Sequence, residues 1–234
     1  MDVTKYQAFA KENLGKFSDI NLLVTAFTHR SYLNEHKKTA GGHNERLEFL
    51  GDAVLELVVT EYLYAKFEEP EGVLTNWRSA LVRTESISAA AASAGFEPLL
   101  RLSRGEKRGS QRARQQILAN AYEAVIGALY LESGYGAAQK FITATLLPSF
   151  DEILYSGSWV DPKSRLQEAV QSKESFTPVY KVLSEDGPDH DKVFVIGVFV
   201  NNNLKGEGTG PSKQAAQVAA ASAALKEYES AVDR

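Results

Sequence analysis

Apolar residues recur at every third or fourth position through Leu47, Leu50, Val54, Leu57, Val58 and Leu63, the spacing of one face of an α-helix. The same period predicts a helix from about Ile117 to Glu132 and another from about Gly136 to Leu154. Ser133, Gly134 and Gly136 supply the break between those two. No persuasive strand-like alternation precedes residue 155, so an all-α N-terminal domain is expected over residues 1–155. The pattern then changes. Residues 156–162, Ser-Gly-Ser-Trp-Val-Asp-Pro, read as a linker ending in a helix start, with Pro162 near the first turn. A short helix follows, roughly Lys163 to Ser172. Pro178 to Ser184 and Lys192 to Val200 are rich in β-branched and aromatic residues and read as strands. Asn201 to Asn203 form a turn, Leu204 to Gly208 a third strand, and Ser212 caps an alanine-rich helix running to about Tyr228. The order α-β-β-β-α over residues 163–231 describes a small α+β domain, a three-stranded antiparallel sheet backed by two helices. Many small domains share that order.

Composition narrows the setting more than the function. The apolar share of 44% and charged share of 24% are those of a globular protein. There is no cysteine, which excludes disulfides and thiolate metal sites. The N-terminus lacks the basic start and apolar stretch of a secretory signal. The longest strongly apolar run, Ala124 to Leu131, is interrupted by Gly127 and too short to cross a bilayer. A cytoplasmic protein with no membrane partner is therefore expected. A net charge of −4 argues against a nucleic-acid binder when taken alone, but local clusters decide binding. Arg101, Arg104, Lys107, Arg108, Arg112 and Arg114 fall in one short stretch opposed only by Glu106. That stretch is either a phosphate-facing loop or a solvated surface, and composition does not choose.

Glu45, Glu48 and Asp52 stand at i, i+3 and i+7 of the first long helix and project from one side of it. Glu56 continues the stripe, as a plain solvated acidic face would also do. Asn120 and Glu123 lie one turn apart amid Ala119, Ala121, Tyr122, Ala124, Val125 and Ile126, surroundings in which polar groups are costly to bury unless something occupies them. Oxygen ligands from two packed helices suit a hard cation such as Mg²⁺ or Mn²⁺. Carboxylate-held Mg²⁺ points to phosphodiester hydrolysis.

The stretch His43-Asn44-Glu45-Arg46-Leu47-Glu48-Phe49-Leu50-Gly51-Asp52-Ala53-Val54-Leu55 closely resembles the signature of the ribonuclease III family. Thr28-His29-Arg30-Ser31-Tyr32 resembles a segment upstream of it in that family, and Ile117 to Leu131 resembles its second acidic helix. Asp161-Pro162-Lys163 through Gln167-Glu168, Gly187-Pro188-Asp189-His190, Gly206-Glu207-Gly208 and Ser212-Lys213 resemble a double-stranded-RNA-binding domain. The resemblance implies that Glu48, Asp52, Asn120 and Glu123 occupy metal-binding positions, with Glu48, Asp52 and Glu123 the catalytic carboxylates. It implies Mg²⁺ as cofactor, with Mn²⁺ substituting. Glu45 and Glu71 match acids lining the family's processing centre near the dimer seam. A homodimer paired through the signature helix would place one site on each strand of an RNA duplex. Processing of rRNA and mRNA precursors would leave 5′-phosphate and 3′-hydroxyl ends with short 3′ overhangs. In the tail, Ser164, Gln167, Glu168 and Gln171 match residues that meet one minor groove, and His190 matches one reaching the next. Ser212 and Lys213 match residues that meet the phosphates between, at a helix N-terminus.

Two positions depart from the family pattern. Asn120 stands where the family usually has Asp, removing one negative charge. Lys213 is followed by Gln214 and Gln217 instead of further basic residues, and from Val160 onward nine basic residues face eleven acidic ones. Fewer phosphate contacts and a shallow salt dependence are expected. Three functions therefore compete: an active double-stranded-RNA endonuclease, a duplex-binding protein with cleavage attenuated or lost, and a structural ribosome-associated homologue.

Overall fold

A computed structural model describes residues 3–36, 42–156, 159, 161–188 and 192–230. The chain divides into two compact units, Met1–Trp159 and Val160–Arg234. The first is helical: α1 (Thr4–Phe9), α2 (Ile20–Ala26), α3 (Arg30–Glu35), α4 (Glu45–Lys66), α5 (Glu71–Leu81), α6 (Thr84–Ser93), α7 (Gln111–Ser133), α8 (Tyr135–Thr145) and α9 (Phe150–Ser156). The second runs α10 (Pro162–Glu174), β1 (Val179–Asp186), β2 (Val193–Val200), β3 (Asn203–Gly210) and α11 (Lys213–Ser230). Its three strands form one antiparallel sheet in the order β1-β2-β3. The expected classes, all-α followed by α+β, hold.

The α7 helix is apolar on nearly every side. Ile117, Leu118, Ala119, Ala121, Tyr122 and the run Ala124–Leu129 are all buried, as befits the central helix of a bundle. It packs more extensively on α4 than any other two elements of the unit do on each other. Two glycines make that approach close. A Cβ on Gly51 would overlap the Glu123 carbonyl oxygen, and one on Gly127 would overlap the Leu47 carbonyl oxygen. The helix backbones therefore touch at two reciprocal points, one turn of α4 apart.

Two expectations change. The helix expected from Gly136 to Leu154 is broken: α8 ends at Thr145, a 3₁₀ turn spans Leu147–Ser149, and α9 begins at Phe150. Pro148 lies in that turn, and without an N–H it cannot continue the α-helical ladder. The second acidic helix begins earlier than Ile117, at Gln111, where the Ser110 hydroxyl accepts from the Ala113 N–H. Its first turns are polar and carry no apolar period. Among the described residues no helix is long and apolar enough to cross a membrane.

In the second unit, Leu166 and Val170 of α10 and Ile196, Val198 and Val200 of β2 meet Ala216, Ala220, Ala221 and Ala224 of α11. Gly206, Gly208 and Gly210 of β3 lie directly on that alanine face, with no room for a Cβ. Asp161 caps α10 by accepting from the Ser164 N–H, and Ser212 caps α11 by accepting from the Ala215 N–H. Lys163 Nζ donates to Gln217 Oε1 at 2.8 Å, joining the two helices.

Candidate active site

The start of α4 is pinned from outside the helix. The Asn44 N–H donates to the Thr28 carbonyl, the Arg101 N–H donates to the Phe27 carbonyl, and the Arg101 guanidinium donates to Thr28 Oγ1. The segment Thr28–Tyr32 thus anchors the acidic helix, and Arg101 stacks over the Tyr32 ring at 4.2 Å. Glu48 and Asp52 follow one and two turns in. Gly51 sits between them, where α4 touches the backbone of Glu123. The glycine contact is what brings the carboxylates of one helix up to Asn120 and Glu123 of the other.

The electrostatics follow from this crowding. Burial pushes the half-buried Glu123 carboxyl up to about 8, and the negative charges of Asp52 and Glu48 add to the effect. Burial also raises Glu48, as do Glu45 and Asp52, while a side-chain hydrogen bond from Asn120 opposes them. Asn120 Oδ1 is itself held, accepting from Gln116 Nε2 at 2.7 Å. Gln116 was not among the residues read from the sequence; its only sequence signal is the i, i+4 spacing to Asn120. Among the described residues, no three His, Cys, Asp or Glu side chains are gathered closely enough to hold a metal ion as they stand. The donor set is nonetheless all oxygen, and mutual repulsion within it is what a bound cation would relieve.

Other sequence candidates separate. Glu56 leaves the acidic stripe to pair with Arg78 at 3.1 Å. Glu45, at the exposed start of α4, pairs with Arg30 at 3.4 Å and lies 3.7 Å from His43. Glu71 begins α5, accepts from Thr75 Oγ1 and lines a different cavity of about 410 Å³ with Tyr64, Leu74 and Arg78. The basic stretch divides: Arg101 is bound as above and Arg114 pairs with Glu97. Arg104, Lys107, Arg108 and Arg112 are exposed, with no ion pair among the described residues.

In the second unit Ser164, Gln167, Glu168 and Gln171 are exposed on α10, away from the buried Leu166 and Val170. Ser164 is partly engaged by Asp161. Ser212 and Lys213 stand at the exposed N-terminus of α11, where Lys213 reaches Glu185 at 3.9 Å and the Phe194 ring at 5.6 Å. His190 lies outside the described residues.

Residues 19–150 match the ribonuclease-III-like family, and residues 162–228 match the double-stranded RNA binding motif. The chain belongs to the ribonuclease III family. It is 46% identical over 218 residues to ribonuclease 3 of Enterococcus faecalis, covering 92% of this chain and 94% of that one. It is 42% identical over 216 residues to ribonuclease 3 of Streptococcus gordonii, covering 90% of each. Among solved structures, the nuclease domain of ribonuclease III from Campylobacter jejuni is similar, with a TM-score of 0.56 and 36% identity over 64% of this chain and 99% of that domain. The stretch that resembles the family's signature includes Asn44, whose N–H is bound at the start of α4, and Gly51, where α4 meets α7.

Proposed function

We propose that this chain is an endoribonuclease that hydrolyses phosphodiester bonds in double-stranded RNA, its first unit cutting and its second gripping the duplex. The observation that carries the reading is the convergence of Glu48 and Asp52 from α4 with Asn120 and Glu123 from α7. There the carboxylates sit close enough to raise one another's proton affinity. Glu48, Asp52 and Glu123 are the groups that would hold a divalent cation, Mg²⁺ with Mn²⁺ as substitute, and Asn120 is the fourth member of the set. When bound, such a cation polarises a phosphoryl oxygen and generates hydroxide from water near neutral pH. The chain's own contribution is a set of carboxylates, Glu48 and Glu123 half-buried and Asp52 exposed, carried by two helices whose backbones touch. Products with 5′-phosphate and 3′-hydroxyl ends and short 3′ overhangs fit two such sites, one per strand.

Two sites require two chains. Phe49 and Tyr64 of α4 are 82% and 80% exposed and Leu57 is exposed beside them, an apolar face that supports pairing through this helix as a homodimer. On this reading Glu45 and Glu71 would line the rim of that pairing. Ser164, Gln167, Glu168 and Gln171 on α10, His190, and Ser212 with Lys213 are the proposed duplex contacts. A cytoplasmic role in rRNA and mRNA precursor processing follows from this substrate. Asn120, in place of the family's Asp, favours a second reading: a duplex-binding protein whose cleavage is attenuated. Incubation with a long RNA duplex and Mg²⁺, with products resolved by gel, decides between them. Short duplex fragments that disappear with Glu123→Gln support cleavage. Intact RNA in a stable complex supports the binding reading.

A further inference from the structure

Two side chains of α3 grip the backbone where the basic segment begins. Ser31 Oγ accepts from the Ser103 N–H at 3.2 Å, and Glu35 Oε1 accepts from the Arg104 N–H at 3.1 Å. Ser103 passes the hold onward: its own Oγ accepts from the Glu106 N–H at 3.2 Å, where a 3₁₀ turn over Glu106–Arg108 starts. That turn carries the exposed Lys107 and Arg108. The start of α3 is capped by an imidazole. His29 Nδ1 accepts from the Ser31 N–H at 3.3 Å and lies 2.8 Å from Ser31 Oγ. A backbone N–H can only donate, so Nδ1 carries no proton and the ring proton sits on Nε2. Ser31 then gives its hydroxyl proton to Nδ1 and a lone pair to the Ser103 N–H. The usual helix caps, Ser, Thr, Asn and Asp, do not titrate near neutral pH; a histidine does.

We propose that α3 is a clip for the basic segment, closed while His29 is neutral and loosened when His29 is protonated. A proton on Nδ1 would set two N–H donors against each other and uncap α3 at the residue that grips Ser103. The charges facing the ring divide. Glu106 and Glu45 favour its protonation and Arg30 and His43 oppose it, while burial, the largest influence, holds its proton affinity below the ordinary histidine value. The clip is therefore closed at neutral pH and loosens only as the pH falls below 6.5. Closed, it keeps Arg104, Lys107 and Arg108 on an ordered backbone. Loosened, the same cations would lose more conformational entropy on meeting a polyanion.

The test is amide hydrogen exchange by NMR in the full-length protein, as protection relative to the intrinsic rate at each pH. It compares wild type, His29→Asn and Ser31→Ala. Asparagine is a strong cap whose oxygen accepts as Nδ1 does and does not titrate. Between about pH 7.5 and pH 5, wild-type protection at Ser103 and Arg104 should fall about 3- to 10-fold, the worth of one helix cap. In His29→Asn it should change by less than about twofold over the same range. Ser31→Ala should leave Ser103 poorly protected at both pH values. The ¹⁵N spectrum of the wild-type His29 ring should show the Nε2–H tautomer at neutral pH. An Nδ1–H ring, parallel pH profiles in wild type and His29→Asn, or full protection of Ser103 in Ser31→Ala would each overturn the clip. Neither RNA nor metal enters the measurement, so its failure leaves the cleavage reading untouched.

Discussion

Both units of this chain are built on a glycine seam, and the two seams serve different ends. In the helical unit, Gly51 and Gly127 let α4 and α7 touch backbone to backbone, and polar groups flank the contact: Glu48, Asp52, Asn120 and Glu123. In the α+β unit, Gly206, Gly208 and Gly210 let β3 lie on α11, and the contact is lined by Ala216, Ala220 and Ala224. The first seam holds charged groups together against their own repulsion. The second simply closes a core, and the proposed RNA-contacting residues Ser164, Gln167, Glu168 and Gln171 stand on the exposed surface of α10, away from the buried Leu166 and Val170. Close packing is common to both; what differs is whether function sits inside the seam or outside it.

The strongest way to break the comparison is to add one methyl group to each seam. Gly51→Ala should cost about 3 kcal/mol or more, because the new carbon meets backbone that cannot turn aside, and cleavage should vanish with it. Gly208→Ala should cost a similar amount in the other unit. Hydrogen exchange read by mass spectrometry should show protection lost in α4 and α7 for the first variant and in β3 and α11 for the second. Loss of protection in both units from either variant would contradict the division between them. The same division predicts that residues 1–155 and 160–234 fold when produced separately.

A smaller effect is expected inside the first seam. Asn120→Asp restores a charge beside the proposed cation, and a few kcal/mol of attraction corresponds to roughly 10- to 1,000-fold faster cleavage at limiting Mg²⁺. Equal rates across a Mg²⁺ titration would show that Asn120 does not limit the reaction.

The seam should also announce itself in the pH dependence of stability. Glu123 is raised from 4.5 to about 8, so the folded protein binds this proton more tightly than the unfolded chain does. Its contribution to stability is therefore complete below pH 4.5 and lost as the pH rises toward 8. Thermal melts of the metal-free protein should show that decline relative to Glu123→Gln, which has no proton to lose there. Added Mg²⁺ should restore stability at pH 8 to the wild type more than to the variant. Parallel pH profiles for the two proteins would remove the electrostatic account of the site.

The smallest effect lies outside the second seam. Lys213→Ala should weaken duplex binding severalfold and reduce the salt slope by about one, to the same degree for every RNA sequence. A sequence-selective loss would show that Lys213 reads bases.

Much of this architecture was legible in the sequence, because local signals and tertiary packing agree over most of it. The period through Leu47, Val54 and Leu63 marks α4, and Ser212 marks the start of α11. The misread segment is the one where a single residue overrides a period: Pro148 splits a helical pattern that is otherwise continuous. The acidic stripe shows the other limit. Glu48 and Glu56 are equivalent by spacing, and only Arg78, reaching over from α5, removes Glu56 from the site. The family resemblance named the four residues from α4 and α7, but not the hydrogen bond that Asn120 accepts from Gln116. Nor does any periodicity reveal that Gly51 and Gly127 are contact points, since a glycine contributes no side chain to a pattern.

The backbone contact at Gly51 also bears on ion size. A Mg²⁺ ion asks for oxygens at ~2.0–2.1 Å and Ca²⁺ for oxygens at ~2.3–2.6 Å. A scaffold whose two halves already touch through main-chain atoms can neither shrink nor slide to suit either radius. Discrimination between the two ions therefore has to come from side-chain reach and rotamer, at positions such as 48 and 120. Repacking the helices behind them would leave the preference unchanged until the fold itself gave way.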